Sequence, residues 1–384
     1  MSRDLVVFAE DWGYHPASTE HLMRRLAATR KVVWMNSLGL RRPRLSLKDA
    51  RRAASKLGQI LSRTQAPASQ ALASDATRAR NTVPDGMAIV APHAIPAPGN
   101  ALAFRINRIL LARQVRGAMA RAAIDKPILW ITLPTALPVV GTLGERAVVY
   151  YCADDFGSLA GVDHAAILAM EQQVARRADL IIVVSDVLAQ KFPAAKTIVV
   201  PHGVDFDLFK APQPRATDLP AGRKIAGFYG SLPHWVDRDL ITHTAAALPD
   251  WLFAFVGGGQ LYGDGQAPAN TLFLGSRPHH LLPGYVQHWD VSLLPYLDCA
   301  PLRAGNPLKL REYLAAGTPI ATVDFPALAP YRDVVSLAAG PGSFADSVIA
   351  AAADQGRNAL RRQAVAASTW EARAADIDAA LEAL

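Results

Sequence analysis

The sequence predicts an α/β protein built on two doubly wound parallel sheets, and three observations carry that expectation. Short runs rich in Val and Ile alternate with helix-like stretches along the whole length, the pattern of strands buried on both faces by helices. The series runs once through the first half and begins again near residue 224. The length of 384 residues suits two domains, and a composition 51% hydrophobic and only 19% charged supplies two cores and excludes disordered and fibrous classes.

In chain order, the first-half strands are expected in LVVFAE (5–10), KVVWMN (31–36), MAIVAP (87–92), ILWITL (128–133), AVVYYC (147–152), LIIVVS (180–185) and TIVVP (197–201). The second half repeats with KIAGFYG (224–230), WLFAFVG (251–257), NTLFLG (270–275), VSLLPY (291–296) and PIATVD (319–324). Residues 40–85, weak in period and rich in Ser, Thr and Arg, read as an irregular or helical insertion. The Pro-, Ala- and charge-rich stretch between the halves reads as a linker. Residues 1–205 and 224–367 are therefore taken as domains, 206–223 as the linker and 368–384 as a last helix, with Ile377, Leu381 and Leu384 at helical spacing.

Arg3 and Asp4 run straight into LVVFA, which is too short for a secretory leader, and Pro127, Pro134, Pro138, Gly141 and Gly144 break the longest uncharged stretch. No transmembrane segment and a cytoplasmic location are expected. Cys152 and Cys299 lie too far apart for a disulfide framework or a Cys-rich metal site. Residues 1–205 hold 26 Lys+Arg against 16 Asp+Glu, a net +10, while the rest carries −3. Much of that excess sits in RRPRLSLKDARRAASKL (41–57), which reads either as a peripheral contact with an anionic membrane or as a solvated face. Without interleaved aromatics it is not a nucleic-acid reader.

The sharpest local signal is AGNPLKLREYLAAGTP (304–319). Asn306 suits an N-cap, Pro307 the first helical position, Gly317 a left-handed stop, and Leu310, Tyr313 and Leu314 a buried stripe. Lys309 then falls at the third position, where the macrodipole disfavours a cation unless something anionic docks there. Backbone N–H groups and an ammonium together make a phosphate site. Glu312 shares that face and suits two sugar hydroxyls; the alternative is a solvent-facing Lys and Glu pair.

NPLKLREYLAAGTPI resembles the nucleotide-sugar segment of GT-B glycosyltransferases of the retaining family 4 group, with Glu312 matching the second Glu of their Glu-x7-Glu motif. IVVPHGVD (198–205), GFYGSL (227–232), VGGG (256–259), RRADLIIVVSDVLAQKF (176–192) and STWEARAADIDAAL (368–381) resemble further pieces in the same order. The resemblance implies a GT-B fold, two Rossmann-like domains facing a cleft, the first for the acceptor and the second for the nucleotide sugar, with the C-terminal helix crossing back onto the first. It implies sugar transfer from a nucleoside diphosphate to a saccharide or lipid-linked acceptor. Two departures stand out: Ala304 occupies the place of the first Glu, and Ser231 and Leu232 follow Gly230 where a basic pair is usual. With DDF (154–156) and HWVD (234–237) this is closer to the branch acting on bacterial surface polysaccharides and teichuronic acid-like polymers, and leaves the stereochemical outcome open.

Within that frame the donor site is expected at Gly230, Ser231, His234, Arg277, Asn306, Pro307, Leu308, Lys309 and Glu312. The acceptor loop is expected at Glu10, Asp11, Trp12 and His15, and His202 and Asp205 lie at the domain junction. Asp154 and Asp155 follow a strand at its carboxyl end, where one could act as general base or both could merely cap and solvate the next segment. With Lys309 they are the catalytic candidates. No metal or other cofactor is expected, since no His, Cys and carboxylate cluster has ligand spacing. A GT-B-shaped binding protein without turnover and a nucleotide-sugar epimerase are the alternative readings.

Overall fold

The structure, a computed structural model, describes residues 4–13, 17–38, 83–232, 235–263 and 265–384. Its first sheet contains β1 (Leu5–Phe8), β2 (Val32–Met35), β3 (Met87–Val90), β4 (Ile128–Ile131), β5 (Ala147–Cys152), β6 (Leu180–Val183) and β7 (Thr197–Val199), in the order β3-β2-β1-β4-β5-β6-β7. The second contains β8 (Lys224–Tyr229), β9 (Trp251–Val256), β10 (Thr271–Phe273), β11 (Val291–Leu294), β12 (Ile320–Thr322) and β13 (Ser336–Leu337), in the order β10-β9-β8-β11-β12-β13. Each of the apolar runs read from the sequence holds one of β1 to β12. The two-residue β13 is too short to show a period.

β1 pairs in parallel with β2 and β4, setting Leu5 opposite both Val32 and Ile128, and β8 pairs in parallel with β9 and β11. The strand order therefore reverses between β1 and β4 and again between β8 and β11, and such a reversal opens a ligand crevice at the carboxyl ends of the strands. All residues of β1, β2, β4, β5 and β9 are buried, as continuous apolar strands covered on both faces require.

The helices are α1 (Ser18–Leu26), α2 (Ala101–Ala122), α3 (His164–Arg177), α4 (Asp186–Ala189), α5 (Phe206–Lys210), α6 (Arg238–Ala247), α7 (Pro283–Val286), α8 (Ala300–Ala304), α9 (Leu308–Ala316), α10 (Phe344–Ala353), α11 (Asn358–Val365) and α12 (Trp370–Glu382). The chain divides into two compact units: Met1–Cys152, Leu159–Ile182 and Leu381–Leu384 form one, and Ala153–Ser158 with Val183–Ala380 the other.

Residues 206–223, read as the linker, lie within the second unit. They open with α5, which packs on α9 through fully buried Phe209, and Leu219 is buried too. Arg215 ties the stretch down by donating to the carbonyls of Leu219 and His288. A few apolar anchors joined by guanidinium-to-carbonyl bonds have no period to read. In the last helix Ile377 and Leu381 are fully buried as expected, but Leu384 lies beyond the helix end. Glu382 pairs with Arg30 at 2.5 Å. The basic stretch 41–57, most of the insertion, His15 and His234 lie outside the described residues.

Candidate functional site

The second unit brings the end of β8 against the start of α9. Pro307, at φ −58° and ψ 120°, is the N-cap of α9, and no side chain caps the helix. Its first N–H groups therefore have no partner within the helix. The sequence reading is one residue out: Asn306 is not the N-cap, Leu308 is the first helical residue and Lys309 the second. Asn306 is unavailable because its side chain is buried and its Oδ1 accepts from Arg311 Nη1. The other end is as read: Gly317, at φ 82°, closes the helix by donating to the carbonyls of Tyr313 and Leu314.

From that second position the Lys309 chain leans toward the helix N-terminus and lies across Gly230. A Cβ on Gly230 would stand 2.1 Å from Lys309 Cε, and Gly230 also adopts φ +120°, which side chains rarely tolerate. A Cβ on Gly257 would in turn stand 1.8 Å from the Gly230 carbonyl oxygen. Two glycines thus clear the slot that the lysine occupies, beside the crossing between β8 and β11. Its Nζ is 5.5 Å from the centroid of the Phe228 ring. Burial pulls the Lys309 pKa below its ordinary value, opposed by the charge of Glu312. Among the described residues no carboxylate lies within ion-pair distance of this ammonium, so it and the open helix end present positive charge to an anion.

Glu312 is buried, and both its oxygens are engaged: Oε1 accepts from His279 Nε2 at 2.6 Å and Oε2 from the Tyr229 hydroxyl. Burial would raise its pKa, but His279, the Tyr229 bond and Lys309 together hold it below the usual carboxylate value. It is therefore not an open carboxylate, and sugar hydroxyls would have to share lone pairs with two protein donors. Arg277 is likewise committed: Nη2 pairs with Asp218 Oδ2 at 2.5 Å and Nε donates to the Tyr285 hydroxyl at 3.0 Å, while that hydroxyl donates to Asp218 Oδ1 at 2.6 Å. This closed triad fastens the segment before β8 and neutralises Arg277. Ser231 is exposed, between two backbone bonds, Gly230 N to Val256 O and Leu232 N to Gly258 O, that lace the β8 and β9 loops together.

Ala304 is buried at the end of α8, and its carbonyl accepts from Ser185 Oγ at 2.6 Å. His202 Nδ1 donates to the Asn306 carbonyl at 2.7 Å, which leaves Nε2 a buried acceptor with no partner among the described residues. Burial, with the nearby Arg311 charge, lowers the His202 pKa to about 4, against the bond to Asn306. The native protein thus holds this ring neutral where the unfolded chain would already bind a proton. Stability present above pH ~6.5 is therefore lost as the pH falls toward 4, by about 3 kcal/mol in all. Urea midpoints at pH 7 and pH 4.5 are expected to differ less for His202→Gln than for the wild type. Asp205 starts α5 without a side-chain cap bond.

Asp154 and Asp155 separate in role. Asp155 pairs with Lys191 at 2.7 Å and accepts from Gly157 N at 3.2 Å; burial pushes its pKa up, but these partners bring it below the ordinary value. Asp154 is raised, by desolvation of its carboxyl and then by the charge of Asp155, although the residue keeps an exposed surface. Of the two, Asp154 is the better proton acceptor.

In the first unit the loop after β1 is braced rather than open. Asp11 Oδ1 accepts from Ser37 N at 3.0 Å, and Asn36 Oδ1 from Trp12 N at 3.2 Å. The Glu10 carbonyl accepts from Trp34 Nε1 at 3.0 Å. Trp12 is clamped between Trp34, edge-on at 5.0 Å, and Arg24, 4.5 Å above its ring, and its indole N–H is buried without a partner among the described residues. A small pocket of about 30 Å³ at the carboxyl ends of β2, β3 and β4 is lined by Leu38, Ile95, Pro96, Phe104, Thr135 and Met170, with the Thr135 hydroxyl buried and unpartnered among the described residues. Nothing in the sequence reading pointed to this pocket, nor to His279, Tyr229 or Asp218. Their partners lie tens of residues away, beyond any local spacing.

No family model matches the chain. HepE of Anabaena, solved in complex with UDP-glucose, superposes with a TM-score of 0.67 at 13% identity over 100% of both chains. The α,α-trehalose 6-phosphate synthase of Burkholderia multivorans does so at 0.63 and 15%, over 100% of this chain and 99% of that one. The chain has the GT-B fold. A protein of Bacillus subtilis (strain 168), named as the teichuronic acid biosynthesis glycosyltransferase TuaH, is 29% identical over 230 residues, 54% of this chain and 58% of its own length. The chain thus aligns with little more than half of that relative. In GT-B terms the β8 loop and the start of α9 lie in the second Rossmann-like unit, the half in which the sequence resemblance puts the nucleotide sugar.

Proposed function

We propose that the protein transfers a sugar from a nucleoside diphosphate donor to a saccharide or lipid-linked acceptor in surface polysaccharide synthesis. The observation that carries this is the unpaired Lys309 ammonium laid across Gly230 at the uncapped start of α9. The name of the Bacillus relative and the UDP-glucose bound by HepE support the choice of donor class. In the reaction the bond between the anomeric carbon and the diphosphate oxygen breaks, the acceptor oxygen bonds to that carbon, and the acceptor proton passes to a base, for which Asp154 is the candidate. Negative charge grows on the leaving diphosphate, and Lys309 with the helix N–H groups stabilises it more in the transition state than in the ground state. This scheme draws on no metal.

The acceptor belongs to the first unit, at the Trp12 loop and the Thr135 pocket. The expected setting is the cytoplasmic side of the membrane, with peripheral contact through 41–57. No helix among the described residues is long and apolar enough to cross a membrane.

A panel of nucleotide sugars followed by thermal unfolding tests the donor. Saturation at about 100 times the dissociation constant adds roughly 2.7 kcal/mol of stability. Nucleotide release that requires added membrane extract is the result expected of a transferase. Tight binding with no release under any acceptor would instead favour a binding protein, the reading to which a buried Ala304 in place of a carboxylate lends weight.

A further inference from the structure

We infer that α2 is a docking face for an anionic phospholipid bilayer. This inference uses no residue of the donor site and goes beyond the sugar-transfer reading. α2 is 22 residues long and turns Ala103, Leu111, Val115, Ala118 and Met119 into the protein. On its outer side Leu102 is 67% exposed, Ile109 72% and Leu110 42%, and Ile106 is exposed with them. Positions 102, 106, 109 and 110 share one face of a helix. A contiguous aliphatic stripe of this kind on a surface marks a contact site, whereas scattered exposed aliphatics do not.

The charge pattern selects the partner. α2 contains five arginines and no Asp or Glu. Arg108 and Arg116 donate to the carbonyls of Pro138, Val140 and Thr142. Arg105, Arg113 and Arg121 make no ion pair or hydrogen bond among the described residues, and Arg105 and Arg113 flank the aliphatic stripe. Aliphatic side chains ringed by uncompensated arginines match the acyl and headgroup layers of an anionic leaflet. A second copy of the chain fits badly, because its own arginines would face these.

The face is also held rigid. Asn100 caps the helix by accepting from Ala103 N at 2.9 Å, and Asn107 bonds both the N–H and the carbonyl of Ile95, fixing that exposed aliphatic beside the stripe.

Flotation of the full chain with vesicles tests the inference. Vesicles of equal phosphatidylglycerol and phosphatidylcholine are expected to carry the protein, and pure phosphatidylcholine vesicles to carry far less. Ile109→Glu and the double change Arg105→Glu/Arg113→Glu are each expected to weaken binding about tenfold or more. Lys309→Ala is expected to leave it unchanged. Binding that survives Ile109→Glu would overturn the assignment to α2, including the case in which residues 41–57 carry it alone. So would equal binding to neutral vesicles, no binding at all, or a dimer that Ile109→Glu dissociates. The donor-induced thermal shift of Ile109→Glu, expected to match the wild type, confirms folding and keeps the two readings separable.

Discussion

Lys309→Ala is expected to lower sugar-transfer turnover by about 100-fold, the usual consequence of removing one key charge-stabilising donor. The loss should fall on kcat more than on KM, because the diphosphate carries more charge as it leaves than when it binds. Stability should change little. No side chain among the described residues is bonded to this ammonium, so truncation strands no partner there, and alanine is the better helix former. Steady-state kinetics beside a urea midpoint check both halves, and unaltered turnover would remove Lys309 from the mechanism.

Glu312→Ala is expected to act on folding instead, by about 2–5 kcal/mol, the order expected when two buried donors lose their shared acceptor. Its two oxygens serve His279 and Tyr229, so truncation leaves an imidazole N–H and a phenol without acceptors in the interior. Urea unfolding reads this directly. Glu312→Gln keeps the shape and spares much of the fold, and it isolates a second effect. Glu312 raises the Lys309 pKa against burial, so without its charge the ammonium deprotonates at lower pH. The alkaline limb of the turnover profile should then move to lower pH, and a profile that stays in place would separate the two residues.

The strands were legible because parallel sheets covered on both faces demand unbroken Val- and Ile-rich runs, and those runs are on the surface of the sequence. α9 was legible for a different reason, its Pro and Gly punctuation and its buried Leu310, Tyr313 and Leu314. The one-residue error at its start arose because Asn306 looks like a cap when read alone; only the fold reveals Arg311 and His202 holding it. Arg277, expected at the donor site, is engaged by Asp218 and Tyr285. Side-chain partnerships between residues far apart in the chain follow from tertiary packing, and no local period encodes them.

The contact of Gly257 on Gly230 and of Gly230 on Lys309 makes three positions interdependent. A combinatorial library randomising 230 and 257 together, screened for growth or colony polysaccharide, should return glycine at both, since even a methyl group evicts the ammonium. Under the proposed sugar transfer, efforts to retune the donor would have to proceed through the surrounding rim and leave this stack alone.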